Sequence, residues 1–168
     1  AAPAAGPVGP LAGGVAETLR ARMVRGSLIS VTGFGASQAL RFAATLVWNA
    51  GEYYNPQDGW WFNLTFAEMD AILSPTVRAL QIVPDLNSRG LLRFAIVVAT
   101  NSGQYAKGWW WRSNADLAEI QDTATAHNAR LVSWERRPDQ NGRFSAVFIQ
   151  NAGADERDWT CVPLDALE

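Results

Sequence analysis

Cysteine and histidine are almost missing from this chain of 168 residues, which holds one of each, Cys161 and His127. A single cysteine excludes an intrachain disulfide. One Cys and one His are too few for a Cys/His zinc cluster, so neither a metal nor a cofactor is expected. Charge is also sparse. Charged residues make up 18% and the formal net charge is -2, so there is no dominant basic surface. That argues against a general nucleic-acid or anionic-membrane binder. Long hydrophobic runs are missing too. The longest, Leu91 to Thr100, contains Arg93 and is far shorter than the roughly 20 residues a spanning helix needs, so no transmembrane segment is expected. No signal peptide is legible, because no charged segment followed by an apolar one opens the chain. Its Ala-rich start, Ala1-Ala2-Pro3-Ala4-Ala5-Gly6, resembles the downstream side of a cleavage site; a chain trimmed by other means would look the same. What the chain does have is 48% hydrophobic residues and eight tryptophans. That composition is globular, and the length suffices for a core without staples.

An internal repeat organises the sequence. Arg41-Phe42, Arg93-Phe94 and Arg143-Phe144 each begin a run of six apolar or small residues followed by Asn-(Ala/Ser)-Gly, headed by Asn49, Asn101 and Asn151. About a dozen residues upstream of each Arg-Phe lies a β-rich run, Leu28–Val31, Leu80–Val83 and Leu131–Trp134. Downstream of each Asn comes tryptophan: Trp60-Trp61-Phe62, Trp109-Trp110-Trp111 and Trp159. Helical stretches are expected at 15–25, 66–73 and 115–128. Thr65-Phe66-Ala67-Glu68 has the form of a capping box, in which the Thr side chain satisfies a first-turn N–H while the Glu reaches back. Ser113-Asn114-Ala115-Asp116 stands at the matching place in the next unit, and Asn128 suits a left-handed helix end.

The expected architecture is α+β: three αβββ pseudo-repeats at about 15–65, 66–114 and 115–168, forming one domain of antiparallel strands with helices packed on one side. Residues 1–14, with three Pro and four Gly, read as a flexible leader. Pro163 to Glu168 looks like the start of a further helix.

The strand Arg130–Trp134, the following hairpin, the Arg-Phe-Ser-Ala-Val strand, the Trp and the capped helix together resemble the bacterial tandem repeat domain. Its units of about 50 residues are similar to those in the N-terminal half of fungal polyglycine hydrolases. The resemblance covers residues 15–168. In that family the repeats accompany a serine β-lactamase-like domain, whose Ser-x-x-Lys motif does not occur here. The resemblance therefore implies the accessory part alone: a secreted, extracellular or periplasmic, module that recognises a polymer or a protein partner. The chain departs from the family pattern at Ser74-Pro75-Thr76, which lacks the usual Gly, and in the Tyr-rich insertion Tyr53–Gln57.

The aromatic runs are the candidate binding surface. In a strand Trp109 and Trp111 share one face and Trp110 takes the other, and Trp60 and Trp61 divide likewise. Aromatic rows suit sugar rings or extended polypeptides, but they serve equally as core and inter-repeat packing. Tyr53, Tyr54, Asn101 and Gln104 complete the ligand or partner candidates. Arg41, Arg93 and Arg143 are read as structural, stacking on a Trp or tying down a helix C-terminus. Phe42, Phe94 and Phe144 are structural repeat positions, and Asn49, Asn101 and Asn151 are turn formers. Asp155, Glu156 and Asp158 read as a solvated rim and Cys161 as a buried small residue. No nucleophile motif accompanies His127, so an enzyme is the least favoured class. The favoured reading is a non-catalytic extracellular binding module. The alternative is a structural subunit of a larger assembly, in which the aromatic strands are subunit contacts.

Overall fold

The computed structural model describes residues 59–159 together with the backbone of two strands, β1 (Gly26–Phe34) and β2 (Arg41–Trp48). Asn49, Tyr53, Tyr54 and Cys161 lie outside the described residues, as do the expected leader and first helix; of Arg41 and Phe42 only the backbone is placed. From residue 59 the order is β3 (Gly59–Leu64), α1 (Phe66–Ile72), β4 (Val77–Leu86), β5 (Leu92–Thr100), a 3-10 turn (Gly103–Tyr105), β6 (Trp109–Ala115), α2 (Leu117–Ala126), β7 (Ala129–Arg136), β8 (Phe144–Gln150) and a second 3-10 turn (Gly153–Asp155). The fold is α+β and rich in strands. No helix among the described residues is long and apolar enough to cross a membrane.

All the pairing is antiparallel. β1 and β2 form a hairpin, and two three-stranded sheets follow, ordered β3-β5-β4 and β6-β8-β7. The pairing groups the chain differently from the sequence boundaries. Each aromatic strand leaves the hairpin that precedes it and joins the one that follows, so each three-stranded sheet reads aromatic strand, helix, hairpin. The reason lies in the middle strands. β5 and β8 are buried through most of their length, so the backbone N–H and C=O groups along both of their edges are away from water and need a paired strand on each side.

Register is shared in detail. Counting from Phe42, Phe94 and Phe144, the same step of each hairpin carries a β-bulge, at Ile29, Leu80 and Val132. A bulge adds a residue and increases the local twist. Both helices start on a capping box. Thr65 accepts from the Glu68 N–H while Glu68 accepts from the Thr65 N–H; Asp116 and Glu119 do the same. In the second case the capping residue is Asp116 itself. The Ser113–Asp116 tetrad is not the box, because the chain is still in β6 through Ala115. Asn128 takes φ 46, as expected for a left-handed end.

Two apolar clusters hold the described part together. The first gathers Met69 of α1 with Ala79, Ile82, Phe94, Ile96 and Val98 of the β3-β5-β4 sheet. Val147, Trp109 and Trp111 enter it from the β6-β8-β7 sheet, so the second sheet covers the first. The other cluster joins Ile120 and Ala124 of α2 to Ala146 and Phe148, on the opposite face of β8, with Trp110 and Trp159 against it. Alternation along one strand thus lets β8 face a sheet with Val147 and a helix with Ala146 and Phe148.

Candidate functional site

A concave cleft of about 520 Å³ opens where α1 ends and β6 begins. Leu73, Ser74 and Pro75 form one wall, Asn101 and Lys107 the loop side, and Trp109, Trp110, Trp111 and Arg112 the β6 side. Sequence reasoning named four of these, Asn101 and the three tryptophans. It did not find Lys107, Arg112 or the Leu73–Pro75 wall. The only available signals were the arginine directly after the Trp triplet and the fixed distance from Asn101 to Lys107.

The loop beside the cleft is built by Asn101, which is buried. Its side-chain N–H groups donate to the carbonyls of Pro75 at 2.8 Å and Lys107 at 3.1 Å, and its Oδ1 accepts from the Lys107 N–H at 2.9 Å. Asn101 lines and shapes the cleft, with both amide donors engaged inside the protein. Asn151 makes the same clasp on Arg157, at 3.1 and 2.8 Å. The glycine two residues on is needed in both loops, because Gly103 and Gly153 sit at φ 56 and 60, a region that favours glycine. The Asn-x-Gly signal thus encodes a six-residue clasp around a 3-10 turn.

Three cations surround Asp155. The Lys107 ammonium forms a short ion pair with its carboxylate, Arg130 Nε donates to its backbone carbonyl at 3.1 Å, and the buried Arg78 feels its charge. Burial lowers the Arg78 pKa, and the Asp155 charge opposes that shift. Asp155 is therefore a link between the two loops and not part of a solvated rim. Arg112 is exposed and donates a long hydrogen bond, 3.3 Å, to the Trp111 carbonyl. It is the exposed cation of the cleft.

The tryptophans divide as the alternation requires. Trp109 and Trp111 lie against the first cluster and Trp110 against the second. Trp111 stands 5.9 Å from the half-exposed ring of Phe66, and Trp110 stacks on His127 at 4.4 Å and 17°. His127 is thus the cap of α2, packed on an indole. The earlier pair does not join the site. Trp60 is buried and packs on Phe62 at 5.5 Å, while Trp61 lies against the first cluster. Register explains the difference: Trp60 pairs with Val97 as Trp111 pairs with Val147, which puts Arg112 at the place of Trp61. Gln104 is exposed on the 3-10 turn, away from the residues lining the cleft.

Arg143 pairs with Glu119 and, at 3.7 Å, with Asp116. It braces the capping box at the N-terminus of α2, not a helix C-terminus as expected. The physical reason is that a capping-box carboxylate offers a cation a fixed partner, which a helix C-terminus with only backbone carbonyls does not. Glu68 of α1 is held down in pKa mainly by its hydrogen bonds from Thr65, with a smaller contribution from the Arg93 charge, and the Arg93 guanidinium donates instead to the Leu92 carbonyl at 2.8 Å. Comparison of the chain with protein-family models, curated proteins and solved structures returned no match.

Proposed function

We propose that the chain is a non-catalytic binding module built of tandem repeats, whose β6 cleft takes an extended polymer, either a glycan or a polypeptide. The observation that carries this reading is the cleft itself. Indole faces and two cationic side chains border one open depression of about 520 Å³, and flat aromatic surface with a few polar anchors is what sugar rings and extended backbones bind. The shared bulge position, the two capping boxes and the two Asn clasps support the repeat reading. The resemblance to the bacterial tandem repeat domain and a secreted or periplasmic location belong to the same proposal and rest on the sequence patterns.

Tryptophan fluorescence tests the reading. Titration with a panel of neutral and acidic polysaccharides and glycine-rich peptides should produce a saturable shift with at least one class. A flat response across the panel would remove the ligand reading. The assembly reading is favoured by a separate observation, the exposure of Trp134 on the β6-β8-β7 sheet.

A further inference from the structure

The two three-stranded sheets present the same face in the same register, and only one of these faces is covered. On the β3-β5-β4 sheet, Ile82 pairs with Ile96, Ala79 with Val98 and Pro84 with Phe94. Ile82, Ala79 and Phe94 are 1%, 0% and 2% exposed, because Val147, Trp109 and Trp111 of the following sheet lie over them. On the β6-β8-β7 sheet the corresponding pairs are Trp134 with Ala146, Leu131 with Phe148 and Arg136 with Phe144. Here Trp134, at the place of Ile82, is 44% exposed, and Leu131 and Phe144 are half-buried. Trp134 stacks on Phe144 at 4.8 Å, so the open area is one apolar patch. Among the described residues, α2 and Trp159 cover the neighbouring part of this face and no sheet covers the patch.

The β1-β2 hairpin carries the register equivalent of the covering element. The residue that reaches from one sheet into its neighbour is Val147, three positions after Phe144. The same step of the first hairpin is Thr45, three positions after Phe42, and it pairs with Ser30 as Val147 pairs with Ser133.

We infer that the Trp134–Phe144–Leu131 face is a self-association surface. It takes the β1-β2 hairpin of a second copy and repeats between molecules the sheet-on-sheet contact seen within one. This contact is heterologous, so it adds copies in one direction and does not close as a two-fold dimer. Of the cleft residues on β6, Trp109 and Trp111 lie on the other face of the sheet, while Trp110 and Arg112 pair with Phe148 and Ala146 on this one. The test below uses no ligand, so loss of ligand binding would leave the inference standing.

Light scattering across a concentration series of the full chain tests it. The mean mass should climb from 18.3 kDa through two chains and beyond. Trp134→Glu, at an exposed position, should hold the chain at one copy with an unchanged far-ultraviolet circular dichroism spectrum. Thr45→Lys should do the same from the other side. An equal mixture of these two variants retains one good surface of each kind and should stop at two chains. A wild type that stays at one copy throughout overturns the inference, whatever the variants do. So does a wild-type assembly that stops at two chains, an unaltered series for folded Trp134→Glu, or a mixture of folded variants that does not associate.

Discussion

At the scale of single residues, a few polar side chains hold the loops that border the cleft. Asn101 satisfies two carbonyls and one N–H by itself. Removing its amide leaves those groups near the edge of the core without partners, at a cost of about 1–3 kcal/mol. Asn101→Ala should therefore lower the thermal midpoint clearly, while Gln104→Ala, on the exposed turn, should leave it unchanged; a melting curve for each checks this. The capping boxes give the fold an acid-sensitive component. Hydrogen bonds from the Thr65 backbone and then its hydroxyl, with a smaller contribution from the Arg93 charge, hold the Glu68 carboxyl below the usual carboxylate range. The Arg137 guanidinium does the same for Asp139. A carboxyl whose pKa is depressed on folding contributes stability above its unfolded value, and that contribution disappears as pH falls through the folded one. Below pH 4.5 the midpoint of the wild type should fall with acidification, and Glu68→Gln should show a shallower fall. Parallel slopes would show that the Glu68 bonds do not survive in solution.

At the scale of elements, the helices matter through the few side chains they bury: Met69 in α1, and Ile120, Thr123 and Ala124 in α2. α1 spans only seven residues, too few for a helix that is stable alone, and Met69 is its fully buried contact with the sheet. Met69→Ala should cost about 2–5 kcal/mol, more than Thr65→Ala, which removes a cap worth about 1 kcal/mol. Chemical denaturation of the two variants gives the ranking. The elements themselves were legible in the sequence. Three Arg-Phe…Asn-x-Gly runs marked the hairpins, Thr65–Glu68 marked a helix start, and the alternation of Trp109, Trp110 and Trp111 predicted the division between two packing faces. The partner of each aromatic strand was not legible. Hydrophobic alternation says that a strand has two faces but not which hairpin it joins, so Trp60 and Trp111 looked dissimilar until their pairing with Val97 and Val147 aligned them. The site suffered from the same limit. Lys107 and Arg112 gain meaning only when the chain folds back onto Leu73–Pro75.

At the scale of the whole molecule, the two described sheets stack so that one buries the other, and the aromatic strand between them serves both cores. That places the tryptophans in structural roles first and leaves one margin of β6 open as a cleft. We propose that this margin binds a polymer. Its most direct test is the dissociation constant of the best ligand from the fluorescence panel, measured for the wild type and for Arg112→Ala. Arg112 is exposed and packs in neither cluster, so the variant should fold as the wild type does. The account predicts a several-fold weaker constant for Arg112→Ala with an unchanged melting temperature. Equal constants for the two proteins would place the ligand elsewhere and contradict it.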